Sequence, residues 1–180
     1  LAEIRRAEQT AAGDVAGAEC VYLGYHDGFL QPTLELRKDL VRLIRQYRPE
    51  AVVCLDPTNF FPAEDYINHP DHRAAASAAL DAVFPSAETR YIFPELLAAG
   101  LEPHRVQAVY IHGSPEPNTW IDIAPVIETK IRALQAHQSQ VGGFPVEAWI
   151  RSMAEEEGRP RGLAAAEAYR VIVINGASQG

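Results

Sequence analysis

AVVCLDPTNFFPAEDYINHPDHRAAASAALDAVF, residues 51–84, runs from a continuous apolar stretch through a long polar segment into an alanine-rich one. AVVCL (51–55) has the pattern of a strand buried on both faces by helices. The polar segment 56–71 carries Pro57, Asn59, Pro62, Asn68 and Pro70. A loop of that length in a compact domain is more often functional than accidental. Residues 72–83 then read as a helix. Strand, loop and helix in this order form the unit from which parallel sheets are built.

The same alternation extends in both directions. Residues 1–12 read as a helix with Leu1, Ile4, Ala7 and Ala11 on one face, stopped by Gly13 and Asp14. ECVYLGY (19–25) reads as a strand running into an Asp27-Gly28 turn. Thr33 is placed to cap a helix with Leu36, Leu40, Leu43, Ile44 and Tyr47 at helical spacing, ended by Pro49. After TRYIF (89–93) come a short helix near 94–99 and a strand, VQAVYIH (106–112). The loop GSPEPNTW (113–120) leads to a helix marked by Ile127, Ile131 and Leu134. Val146, Trp149, Ile150 and Met153 mark another, and YRVIVI (169–174) is a last strand. Two-residue hairpin turns are missing between the central strands, so the order predicts an α/β fold, Rossmann-like, with a mostly parallel sheet flanked by helices.

A chain of 180 residues suits one domain, 1–180, with a single sizeable core. Its net charge is −8 and its basic residues are scattered, so it lacks the footprint of a nucleic-acid binder. No apolar stretch is long enough to cross a bilayer, and the charged amphipathic start does not read as a secretory signal. Cys20 and Cys54 sit in apolar runs and read as two buried free thiols in a reducing, cytoplasmic setting; a disulfide between neighbouring strands is the less favoured reading. The chain opens at Leu1 in a helical pattern, where such a fold begins with a buried strand. Residues are therefore expected to be missing upstream, and with them the first strand. An apolar face left open in that way would favour aggregation or strand pairing between copies.

In sheets of this kind ligands sit beyond the carboxyl ends of the strands, where His69, Pro70, Asp71 and His72 fall. The plain reading makes Asp71 a helix N-cap and the two histidines solvated loop residues. The sharper one points both imidazoles into one cleft, with Pro70 stiffening the backbone between them and Asp71 fixing an imidazole tautomer. One histidine would then ligate a metal while the other acts as acid or electrostatic stabiliser. A catalytic zinc site takes three protein ligands, and this stretch supplies at most two.

HPDHRAA resembles the second metal motif of the PIG-L/LmbE-like de-N-acetylases, zinc enzymes that remove acetyl groups from N-acetylglucosamine-type sugars. IRRAEQTAA is similar to that family's R-x-x-E-containing helix, VYLGYHDGFL to its strand and Asp-Gly turn, and RPEAVVCLDP to the strand before the histidines. VYIHGSPEPNTWIDI and KIRALQAHQSQ resemble its later strand and helix, so the likeness covers almost the whole chain. The family opens with an A-H-P-D-D-type motif that supplies two zinc ligands and a general base; this sequence has no such stretch.

The resemblance implies His72 as the third zinc ligand (another divalent metal being the variant), and His69 as oxyanion stabiliser or proton donor, oriented by Asp71. It also implies Arg5 and Asp27 as contacts to sugar hydroxyls or a phosphate. Against those roles, Arg5 can simply pair with Glu8, and Asp27 can simply make the turn before Gly28. Asn118 and His137 lie in family-like segments and are equally explained by capping or helix-surface roles; Asp56 is as well explained by a turn. The function implied is hydrolysis of an N-acetyl group from an amino sugar or glycoside by metal-activated water, with this chain alone expected to be nearly inactive. The alternatives are a metal-less sugar- or partner-binding member of the same fold, and another metallohydrolase, such as a phosphoesterase drawing on Asp56, Asp65 or His112. A homo-oligomer is compatible with either.

Overall fold

Residues 1–174 are described in a computed structural model of the chain. From the amino end its elements are α1 (Ala2–Ala16), α2 (Leu34–Tyr47), β1 (Ala51–Leu55), α3 (Pro70–Asp81), α4 (Pro94–Ala98), β2 (Ala108–His112), β3 (Thr119–Asp122), α5 (Ile127–Gln135), α6 (Gln138–Val141), α7 (Val146–Gly158) and β4 (Ala166–Val173). Contacts group the described residues into two compact units, one of residues 1–22 and 120–168, the other of residues 23–119 and 169–174.

The strands follow the order β1-β2-β4-β3. β1 and β2 pair in parallel, from Ala51 opposite Ala108 to Leu55 opposite His112. Such a pair needs a crossover, which α3 and α4 supply. The other edge of β2 takes β4 antiparallel, from Ala108 opposite Val173 to His112 opposite Tyr169. The sheet is therefore mixed, built on the parallel pair that the sequence pattern predicts.

β1 departs from expectation. It is an edge strand, and Val53 is 64% exposed instead of covered on both faces. ECVYLGY forms no strand at all. β-prone residues need a neighbour to take their backbone hydrogen bonds before they become one. β3, in contrast, begins in the last two residues of the segment 113–120 read as loop: its four residues are too few for an alternating pattern to show.

The core of the second unit joins Val41 and Ile44 of α2, Ala82, Val83 and Ala87 after α3, Leu96 of α4, and Val109 and Ile111 of β2. Alanines 74, 76 and 78 are buried on α3. Thr33 caps α2 as predicted, its hydroxyl accepting the Leu36 N–H at 3.2 Å. The buried face is largely the one the spacing outlined, with Leu36 and Ile44 buried and Leu40 packed against the core; Tyr47, in contrast, is exposed, while Arg45 is buried. The Arg45 guanidinium donates to the carbonyls of Ser86, Ala87, Thr89 and Ile92. Those carbonyls belong to irregular chain, and burial obliges them to find a donor.

In the first unit α1 runs on through Gly13 and Asp14 to Ala16, capped by Gly17 in the left-handed region at φ 68°. Its inner face is Arg5, Glu8, Ala12, Gly13 and Val15, while Leu1, Ile4, Ala7 and Ala11 are exposed. Gly13 does not end the helix because its missing side chain makes room: a Cβ there would lie 2.7 Å from Cys20 Sγ. Ile131 of α5 and Val146 and Ile150 of α7 form one apolar cluster, and Ile123, Ala154 and Ala165 another. Both cysteines are free and half-buried.

Candidate active site

α3 begins at the histidine motif, for a local reason. Pro70 occupies its first position, where a missing N–H is no loss and the fixed φ already suits a helix. The N-cap is His69, not Asp71: the imidazole Nδ1 accepts the Asp71 N–H at 3.2 Å. In a neutral ring that leaves the proton on Nε2, so His69 presents a donor away from the helix. His72 follows within the first turn, and the two ring centroids lie 5.4 Å apart, tilted by 46°.

With His69 capping, the Asp71 carboxylate serves elsewhere. Its Oδ2 accepts the Gly28 N–H at 2.6 Å and its Oδ1 the Leu30 N–H at 3.2 Å. The turn from His26 to Phe29, closed by the Phe29 N–H on the His26 carbonyl at 3.3 Å, is thus held to the start of α3. Gly28 sits at φ 84°, a conformation that favours glycine. Asp27 is in this turn, and so is brought to the histidine motif.

The opposite flank is tied just as closely. Asn68 donates its side-chain amide to the Asn59 carbonyl at 2.8 Å, and Asn59 donates its own to the Gly113 carbonyl beyond β2, also at 2.8 Å. Arg73 donates to the Asn68 carbonyl and lies over the Phe60 ring, 4.2 Å from its centroid. The sequence marked Asn59 only as part of the polar loop and gave Arg73 no role; an asparagine in a proline-flanked loop is a weak signal for a partner 54 residues away.

A cavity of about 500 Å³ opens beside the motif, and its polar side chains are Asp71, His72, Tyr25 and Cys54 amid leucines, alanines and Val53. Burial, and then the Asp56 charge, pushes the Cys54 thiol up to about 11, so it is no ready thiolate ligand. Asp56 makes a turn, its Oδ1 accepting the Thr58 N–H at 2.8 Å and hydroxyl at 2.6 Å. Burial acts to raise its pKa; the Thr58 hydroxyl and amide, the Ser114 hydroxyl and the Arg170 charge outweigh that and hold it below the usual carboxylate value.

Among the described residues no three His, Cys, Asp or Glu side chains come together to hold a metal ion. His69 and His72 alone do not complete a catalytic zinc site, and the convergence a phosphoesterase would need around Asp56, Asp65 or His112 is not formed by them either. Arg5 belongs to the other unit, on α1, where its charge acts on Glu8 after the stronger hydrogen bonds from Ser139. Asn118 straddles β4, its side chain donating to the Val171 carbonyl and accepting the Val171 N–H. His137 stands at the start of α6.

The chain is similar to known deacetylases in sequence and in fold. The PIG-L (GlcNAc-PI de-N-acetylase) family profile matches residues 1–83. The chain is 34% identical over 179 residues to the diacetylchitobiose deacetylase of Thermococcus kodakarensis, a match covering 96% of this chain and 64% of that protein. It is 29% identical over 126 residues to the 1D-myo-inositol 2-acetamido-2-deoxy-alpha-D-glucopyranoside deacetylase of Rhodococcus erythropolis, covering 59% of this chain and 43% of that one. The solved N,N'-diacetylchitobiose deacetylase of Pyrococcus horikoshii superposes with a TM-score of 0.84 at 29% identity, over 96% of this chain and 64% of that chain. The chain thus spans less than two thirds of the length of these relatives.

Proposed function

Because the chain belongs to the PIG-L/LmbE-like de-N-acetylase family, we propose that it carries the second histidine motif of a hydrolase that removes the N-acetyl group from an amino sugar. The proposed substrate is a 2-acetamido-2-deoxyglucose unit within a glycoside, the kind of molecule on which the two named relatives act. The observation that carries the reading is the pair of imidazoles 5.4 Å apart at the start of α3, with the Asp27-Gly28 turn pinned beside them by Asp71.

Hydrolysis adds water across the acetamide, breaks the carbonyl C–N bond and releases acetate and the free amine. Negative charge gathers on the carbonyl oxygen as the carbon becomes tetrahedral, and a fixed N–H donor there lowers the barrier. His69 suits that part, because its Nδ1 is occupied by the Asp71 amide and its Nε2–H is the free end. The amine leaves only once it gains a proton; His69 would supply it from its imidazolium form, reached by taking up the proton the attacking water loses and giving up the Asp71 N–H contact at Nδ1. Asp71 is a positioning residue in this scheme, and Asp27 contacts sugar hydroxyls. Zn2+, the metal we propose, supplies activated water when bound and takes His72 as one ligand. The described residues do not complete its ligand set. The setting proposed is cytoplasmic; no described helix is long and apolar enough to cross a membrane.

The test is a titration of the chain with N,N'-diacetylchitobiose, read on the imidazole resonances of His69 and His72, alongside an amine-release assay with added Zn2+. Both imidazoles are expected to shift on sugar binding, with at most slight turnover. Unmoved resonances at saturating sugar would overturn the reading. Robust turnover lost in His72→Ala would show that this chain closes a metal site unaided.

A further inference from the structure

Residues 61–67 leave the polar loop, stay exposed throughout and return just before the histidine motif. Asn68 closes this excursion at its neck. Its backbone N–H donates to the Phe60 carbonyl at 2.9 Å and its side-chain amide to the Asn59 carbonyl at 2.8 Å, so one residue grips two successive peptide groups. The gripped segment is itself anchored. Asn59 donates its amide to the Gly113 carbonyl, and the Phe60 N–H donates to the Thr58 carbonyl at 3.1 Å. Thr58 is held by the Asp56 carboxylate, and the Asp56 N–H donates at 3.1 Å to the carbonyl of His112, the last residue of β2. On the other side of Asn68, its carbonyl accepts from the Arg73 guanidinium. That carbonyl belongs to the peptide joining Asn68 to His69, so holding it restricts φ of His69. Pro70 restricts ψ of the same residue, which stands at φ −56° and ψ 133°.

We propose that Asn68 is a positioning residue for His69: it ties the backbone that carries the imidazole to the carboxyl ends of β1 and β2, and so keeps Nδ1 on the Asp71 amide and Nε2–H free. This deepens the deacetylase reading and rests on it. A donor lowers the barrier only when it already stands where the charge develops. The cap on Asp71, at 3.2 Å, is a single contact between neutral groups. It is given up when Nδ1 takes a proton, and the aim of the ring then rests on the backbone beneath it. An exposed excursion next to His69 would pass its motion to that backbone if the neck were open. Asparagine suits the neck because its side chain is short and its amide donates. An aspartate of the same shape would set an acceptor against the Asn59 carbonyl, with no proton between them.

The experiment reads the imidazole nitrogen resonances of His69 by NMR at about pH 9, where an ordinary histidine is neutral, together with amide exchange at Asp71. The chain is compared with Asn68→Asp, Asn68→Ala and Thr33→Ala, the last of which removes the α2 cap and lowers stability without touching the neck. Circular dichroism confirms that each variant is folded. In both Asn68 variants the Nδ1 resonance should move toward that of an unheld imidazole, and the Asp71 amide should exchange roughly two- to tenfold faster. Thr33→Ala should leave the Nδ1 resonance in place. Asn59→Ala, which keeps Asn68 and cuts only its anchor on Gly113, should show the same change to a lesser degree, and carries the test alone if neither Asn68 variant folds. A His69 signal unmoved in these variants, while the unaltered chain still responds to N,N'-diacetylchitobiose, overturns the role of Asn68 and leaves the deacetylase reading standing. Thr33→Ala loosening the ring to the same extent overturns it too, because lost stability alone would then suffice. Imidazoles of the unaltered chain that ignore the sugar overturn both.

Discussion

Asp71 spends its charge on two backbone amides that lie 43 and 41 residues away in the chain. Hydrogen bonds to an ionised acceptor are the stronger kind, and removing the acceptor leaves two amides to find water. Asp71→Ala is expected to destabilise the second unit by about 2–3 kcal/mol and Asp71→Asn by roughly half of that, as read by urea unfolding. Amide exchange at Gly28 and Leu30 should accelerate in both. Asp56 allows a prediction in pH. Its folded-state pKa lies below that of a free aspartate, so its stabilisation is complete above about pH 4 and is lost as pH falls through the depressed value. The stability gap between the chain and Asp56→Asn should therefore close on acidification; a gap independent of pH would contradict the assignment. At this scale the sequence disclosed the residue types and their spacing, and Pro70 at the head of a helix. It did not disclose that His69 caps while Asp71 clamps, because both residue types accept an N–H and only the position of a distant loop decides between them.

Among the elements, α2, β1, α3, α5 and α7 follow from periodicity and capping, which act within a few residues. The errors fall where a partner decides. ECVYLGY has strand composition without a ladder, and the inner face of α1 is Arg5, Glu8 and Ala12 where the apolar spacing pointed to Leu1 and Ile4. Gly13 shows the same override. In an open helix interior, exchanging glycine for alanine gains about 1 kcal/mol. Here the new Cβ would sit 2.7 Å from Cys20 Sγ and 3.0 Å from the Ala18 carbonyl oxygen. Gly13→Ala is expected to lower stability by about 1–2 kcal/mol despite the better propensity. In a Cys20→Ala background part of that loss should return; a double variant no better than the single would place the strain elsewhere.

For the molecule in solution, the open edge of β1 matters most. None of its five residues is charged, and charges or prolines are the usual guard on such an edge. Self-association through it is expected at high protein concentration, despite the net charge of −8. Val53→Lys should reduce association measured by light scattering while changing the stability read by urea unfolding by no more than about 0.5 kcal/mol, as befits an exposed side chain. Unchanged association would direct attention to the exposed apolar stripe of α1.

By itself the sequence determined the strand–loop–helix unit around residues 51–84, the alternation that makes an α/β sheet, and the two histidines at a helix start. Each of these is written in contacts a few residues apart, which the chain carries wherever it is placed. Only the tertiary structure decided that β4 runs against β2, that β1 is an edge, that Arg45 is buried among carbonyls, and that Asp71 and Asn59 hold both flanks of the motif. Those outcomes depend on pairings across 41 to 65 residues. Which distant donor meets which acceptor is settled by the packing of the whole unit, and no local spacing records it.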